Sequence, residues 1–220
     1  MDKPRIGFIG IGLMGHGIAK NLVTKGFPLT VRAHRNRKPL EDLLAAGAKE
    51  VPTNADVAKA SDVVILCVTG APQVEEIVFG DNGIASVARA GMIVIDTSTS
   101  EPATTTKTRE ALAAEGVAFV DAPLSRTPVE AEQGRLNTMV GADDATFAKL
   151  TPVFAAYCEN VVHAGPAGHG LVLKLINNFV AQAMCAAFAE AMAAATKSGL
   201  SIDKLHQLMS AGPINSPMFQ

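Results

Sequence analysis

Cysteine is scarce in this chain: Cys67, Cys158 and Cys185 are the only three among 220 residues. Their number is odd and no two stand at C-x-x-C spacing, which excludes a disulfide framework and a cysteine zinc site. Cys67 and Cys185 lie in apolar runs and read as core thiols, and no metal site is expected. A tract of one charge is also missing. Lys and Arg total 19 against 21 Asp and Glu, for a formal charge of −2, so neither nucleic acid nor an anionic membrane is called for as a partner. Internal repeats and low-complexity segments are absent as well. The longest weakly charged stretch, Leu171 to Ala195, holds only Lys174 and Glu190 as charges. A spanning helix wants about 20 mainly apolar residues, and this stretch is alanine-rich and broken by Asn177, Asn178 and Gln182. It reads as a helix buried within protein. The first strand begins so near the N-terminus that no leader is expected before it, and a soluble cytoplasmic protein is the expectation.

What remains is abundant apolar residue, 48% of the chain with a mean hydropathy of +0.24, enough for one sizeable domain and part of another. Ile6 to Ile9, Leu29 to Val31, Val63 to Val68, Met92 to Asp96 and Ala118 to Asp121 are short apolar runs of the kind found in strands covered on both faces. Further strands are expected at Thr138 to Val140 and Val161 to His163. Helical patterns follow Gly15, cover residues 40–46, and recur at 102–115 and 143–154. This alternation predicts an α/β domain, a mostly parallel, doubly wound sheet, over residues 1–165. From 166 to 220 strand signals cease. One long helix to about Ser198 and a second from near Ile202 begin an all-helical part.

The first strand runs into Gly10-Ile11-Gly12-Leu13-Met14-Gly15, a G-x-G-x-x-G turn that opens a helix. In that setting the motif is a dinucleotide site: Gly10 permits the turn, Gly12 admits the pyrophosphate, and Gly15 lets helix and strand pack closely. The phosphates meet free N–H groups at the positive end of the helix. An NAD site of this type carries an acidic residue about 20 residues further on. Here the second strand leads into Arg32-Ala33-His34-Arg35-Asn36-Arg37-Lys38, with no acidic residue before Glu41. Arg35 and Arg37 can offer planar forks to a 2′-phosphate, and His34 and Arg35 are taken as cofactor contacts. The plain alternative is a solvated basic loop. NADP is therefore expected, with NAD as the alternative.

A second group of residues opens the long helix. Counted from Gly170, Lys174 is at +4, Asn177 at +7 and Asn178 at +8, so all four share one helical face. A lysine and two amides among Leu, Val, Ile and Phe would make an inward face fit for chemistry. They would equally suit a lysine that snorkels near a helix start while the amides close helix contacts.

Taken together, Gly10-Ile-Gly-Leu-Met-Gly15, Asp96-Thr-Ser-Thr99 with Pro102, Asp121-Ala-Pro-Leu-Ser125 and Gly170-x-x-x-Lys174-x-x-Asn177-Asn178 resemble the β-hydroxyacid (3-hydroxyisobutyrate) dehydrogenases along the whole chain. The resemblance implies a Rossmann-type domain joined by a long helix to an all-α domain, here incomplete. It implies reversible, NAD(P)-dependent oxidation of small β-hydroxyacids to their semialdehydes. Lys174 would be the catalytic residue, Asn177 and Asn178 would hold the substrate, Val68 and Thr69 would line the cofactor, and Thr99 would lie near the nicotinamide. The family's Ser-Gly-Gly substrate loop is here Ser125-Arg126-Thr127, similar to the sulfolactaldehyde reductase branch. A fork at Arg126 suits a strongly anionic head group, whereas an Arg126 paired with Glu130 or Glu132 would be a plain loop contact. His163 and His169 are expected to be structural. A homo-oligomer, such as a dimer through the long helix, is expected. The competing expectation is a truncated or non-catalytic NADP-binding module that acts through a partner.

Overall fold

The computed structural model describes residues 3–32, 36–216 and 218–220. Those residues fall into two compact units, up to Lys174 and from Leu175 onward. In the first, nine strands form one sheet: β1 (Ile6–Ile9), β2 (Leu29–Arg32), β3 (Lys49–Glu50), β4 (Val63–Leu66), β5 (Ile93–Asp96), β6 (Ala118–Asp121), β7 (Leu124–Ser125), β8 (Leu136–Gly141) and β9 (Cys158–Gly165). The helices between them are α1 (Leu13–Thr24), α2 (Lys38–Ala45), α3 (Asn54–Lys59), α4 (Ala71–Phe79), α5 (Pro102–Ala114), α6 (Pro128–Gln133) and α7 (Asp144–Phe154). Strand order is β3-β2-β1-β4-β5-β6-β8-β7, with β9 beside β8. Pairing is parallel from β3 through to β6 and antiparallel where β8 meets β6 and β7. This is the Rossmann-type doubly wound sheet, and its order reverses between β1 and β4.

Both faces of the sheet are covered, which is why its strands are apolar without a gap. Ile6, Phe8, Val63, Ile65, Ile93 and Ile95 pack on one side with Ile18, Leu22, Leu40 and Phe154. Ile9, Val64, Leu66 and Val94 pack on the other with Val57, Val74, Val78 and Leu112. Successive residues of one strand thus serve opposite faces, as the pleat requires. Helices α1 and α6 approach closely at Gly17, where a Cβ would collide with the Ala131 carbonyl and the Glu132 nitrogen.

Several elements differ from the sequence reading. The apolar run at Val63 pairs only to Leu66, and Cys67 and Val68 have left the strand. The sequence pattern gives no signal for helices α3, α4 and α6 or for the two-residue strands β3 and β7. They are short, and Pro72 and Pro128 open α4 and α6 at positions where proline also punctuates loops. Cys67 is half-buried and Cys158 buried, and burial pushes their thiols up to about 11 and about 12. Cys185 is exposed, so it is not a core thiol.

The long helix α8 (His169–Lys197) carries the chain from the first unit into the second, where α9 (Ile202–Ala211) follows. In the second unit Phe219 is buried between Phe188 and His206, with ring centroids 5.0 and 5.3 Å away. Among the described residues α8 is not covered: Val172, Leu173, Ile176, Phe179 and Val180 are all exposed. A helix apolar on every side needs cover on every side, and the described residues do not supply it. By length and composition alone α8 could cross a bilayer, with a mean hydropathy of 1.5 over its most apolar 18 residues.

Candidate functional site

The carboxyl ends of β1 and β4 lie side by side at the reversal of strand order, where an open α/β sheet forms its crevice. The Gly10–Gly15 turn fills the β1 side. Gly10 has φ +105°, a left-handed conformation that disfavours any side chain, and a Cβ there would overlap the Cys67 carbonyl oxygen. Gly15 stands against the Gly10 carbonyl with no room for a Cβ. Gly12 differs: it is exposed, and nothing lies within 4 Å of where its Cβ would be. The missing atom leaves open space rather than relieving a clash. Helix α1 has no side-chain cap and no acidic residue in its first turn, so its leading N–H groups face that space. The residues present fit a dinucleotide pyrophosphate. Ile11 is buried beneath the turn, Met14 half-buried, and Leu13 projects with 83% exposure.

Loops after β4 and β5 form the other wall and are tied to each other. The Val68 N–H donates to Ser98 Oγ at 3.0 Å, the Thr97 hydroxyl donates to the Leu66 carbonyl at 2.7 Å, and the Ser98 N–H donates to Asp96 Oδ1 at 2.9 Å. Val68 is thereby half-buried while Thr69 and Thr99 are exposed along the rim. Asp96 is 2% exposed, and burial pushes its carboxyl up to about 6. The Ser98 hydrogen bonds oppose that rise, and the neighbouring Asp121 adds to it.

Beside the second strand, Arg32 donates to the Pro52 carbonyl and to Asn54 Oδ1. Arg37 forms a two-pronged pair with Glu50 at 2.9 and 3.0 Å. Ala33, His34 and Arg35 lie outside the described residues.

Lys174 is half-buried on α8, and burial holds its ammonium below the ordinary lysine value. Its helix starts against the sheet: Asp121 accepts the N–H groups of Gly168 at 2.5 Å and Leu171 at 2.6 Å. On the next turn Asn178 is half-buried like Lys174, and Asn177 is exposed.

Ser125, Arg126 and Thr127 join β7 to α6. Arg126 has φ +83°, left-handed for a residue with a side chain, in the place where the resemblance puts a glycine. Its guanidinium pairs with Glu159 and donates to the Arg135 carbonyl, and Arg135 also reaches Glu159 at 3.4 Å. The expected loop partners are engaged elsewhere. Glu130 closes a capping box with Thr127, and Glu132 meets His16 at 2.5 Å and Lys20 at 2.9 Å. Strand β9, which brings Glu159, is remote in sequence, so nothing local could have signalled this pair. His163 stacks on Phe147 with centroids 4.2 Å apart and binds the Ala142 carbonyl at 2.8 Å, a structural setting. His169 starts α8 with its Nδ1 close to Gly165.

Two family profiles cover this chain. One, described as the NAD binding domain of 6-phosphogluconate dehydrogenase, matches residues 5–165. The other, described as the NAD-binding region of NADP-dependent 3-hydroxyisobutyrate dehydrogenase, matches 168–220. Among relatives, the 2-(hydroxymethyl)glutarate dehydrogenase of Eubacterium barkeri is 35% identical over 95% of this chain and 69% of its own length. The 2-hydroxy-3-oxopropionate reductase of Escherichia coli is 33% identical over 98% of this chain and 73% of its own. Among solved structures, the Mycobacterium tuberculosis 3-hydroxyisobutyrate dehydrogenase with L-serine superposes with a TM-score of 0.88 at 26% identity. That likeness covers 99% of this chain and 73% of the other. The chain thus spans about seven tenths of these proteins' length.

Proposed function

The chain belongs to the β-hydroxyacid (3-hydroxyisobutyrate) dehydrogenase family of NAD(P)-dependent oxidoreductases, and from that premise we propose that it interconverts a small β-hydroxyacid and its semialdehyde, with Lys174 handling the proton. The observation that carries this reading is the half-buried Lys174 ammonium, weakened by desolvation, on a helix whose first turn is fixed to the carboxyl edge of the sheet. The dinucleotide, when bound, supplies or accepts the hydride. Lys174 gives its proton to the forming alkoxide in reduction and takes it back in oxidation, a return that the downward shift caused by burial favours. Gly10, Gly12 and Gly15 hold the pyrophosphate, Val68 and Thr69 after β4 line the cofactor, and Thr99 after β5 lies near its nicotinamide end.

Ser125, Arg126 and Thr127 receive the acid group, for which Arg126 exchanges Glu159 for the substrate anion. Asn177 and Asn178 orient the hydroxyl. NADP is the cofactor we assign, because no acidic residue precedes Glu41 to meet a free 2′-hydroxyl. The exposed apolar side chains of α8 support a homo-oligomer formed through that helix in a soluble, cytoplasmic protein. Residues 1–165 are assigned to the cofactor and 166–220 to the linking helix and the start of the helical domain.

Replacing Lys174 by Ala tests the reading. NADPH affinity should stay within about twofold while turnover falls by about three orders of magnitude or more. Unchanged turnover removes the assignment. Methylmalonate, tartronate and sulfolactate semialdehydes, each assayed with NADH and NADPH, would identify the acid group that Arg126 favours.

A further inference from the structure

We propose that Asp121, together with Arg109 of α5, is a positioning residue that fixes the turn before α8 and so sets where Lys174 stands. The inference rests on the reading of Lys174 as the proton-handling group. Asp121 ends β6 and is 2% exposed. Its Oδ1 accepts the Gly168 N–H and its Oδ2 the Leu171 N–H, so one buried carboxylate satisfies two donors at a helix start that would otherwise lack partners.

Two glycines make this contact possible. A Cβ on Gly141 would overlap the Asp121 carboxylate, and a Cβ on Gly170 would overlap the Met139 carbonyl oxygen and crowd that of Asp121 at 2.7 Å. The first turn of α8 therefore lies with its backbone on the sheet. The preceding turn is held at two more points. Arg109 Nη1 donates to the Ala167 carbonyl at 3.1 Å, and the Ala142 N–H donates to the Gly165 carbonyl at 2.8 Å.

Lys174 follows Gly170 by four residues and Leu171 by three, on the helical face that these contacts press against the sheet. A helix rises 1.5 Å per residue, so a shift of the anchored turn is carried to Lys174 almost undiminished. Displacement by about 1 Å is enough to lower a rate about 100-fold. An Asn at 121 keeps the shape and one acceptor, but it turns an N–H₂ toward one of the two N–H donors.

The test uses D121N, K174A and the double variant, with tartronate semialdehyde and NADPH as probes. D121N should lose about 10- to 100-fold in kcat while NADPH affinity and KM stay within about threefold. Amide exchange at Gly168 and Leu171 should quicken by at least about tenfold. In the K174A background the same change should cost less than about threefold, since the group it positions is gone. Equal losses in both backgrounds, or D121N turning over like the parent while K174A is inert, would overturn the proposal and leave the Lys174 reading intact. A K174A variant with full turnover removes both. Should D121N not fold, R109M acts on the same turn from a partly exposed side chain. A kcat lowered about three- to tenfold at unchanged NADPH affinity supports the anchor, and an unchanged kcat overturns it.

Discussion

Replacing Asp96 by Asn should stabilise the protein at pH 8 and leave it nearly unchanged at pH 4. Asp96 is buried at the end of β5, and its folded pKa stands at about 6 against 3.8 for the free side chain. Because the folded value is raised, the folded state keeps a proton that the unfolded state releases between pH 3.8 and about 6. Stability from this group is complete below the lower value and is lost as pH rises through the upper one. A shift of about two units at about 1.4 kcal/mol each amounts to about 3 kcal/mol. Asn stays neutral throughout, and its amide oxygen can still accept the Ser98 N–H that Asp96 accepts. The D96N-minus-parent difference in unfolding free energy should therefore be near zero at pH 4 and approach about 3 kcal/mol at pH 8. Urea titrations at both pH values measure it directly. In melting temperature, about 2–4 °C per kcal/mol gives a gain of about 6–12 °C. A difference of the same size at both pH values, or a loss at pH 8, would refute the argument that desolvation dominates this carboxyl.

Gly12→Ala should leave the melting temperature within about 1 °C, since a Cβ there meets nothing within 4 Å, yet weaken NADPH binding at least tenfold in a fluorescence titration, because the methyl group enters the pyrophosphate's space. Gly15→Ala should fail differently, losing about 2 kcal/mol or more in a denaturation curve, because the new atom overlaps the Gly10 carbonyl. In steady-state assays the reductive rate should fall on the alkaline side with an apparent pKa below that of a free lysine, since Lys174 must be protonated to act as acid and burial lowers its value. That limb should vanish from the residual activity of K174A. Glu159→Gln should lower KM for an anionic semialdehyde several-fold with kcat unchanged, because Arg126 no longer gives up a charged partner to bind it.

The chain's own letters determined the elements that rest on local chemistry. The glycine turn, the buried strands and the long helix were all legible, because backbone freedom and apolar periodicity are properties of neighbouring residues. So was the helical spacing from Gly170 to Lys174. Tertiary structure alone decided which carboxylates meet which cations. Arg126 passes over Glu130 and Glu132, its neighbours in sequence, for Glu159 on β9, because one is closed in a capping box and the other is held by His16 and Lys20. It likewise placed Asp121 beneath a helix that starts 48 residues later (His169 minus Asp121), and among the described residues it leaves the apolar side chains of α8 without cover. Hydrophobic pattern fixes how a segment folds, but charge pairing and cover depend on segments that the fold brings together from far apart.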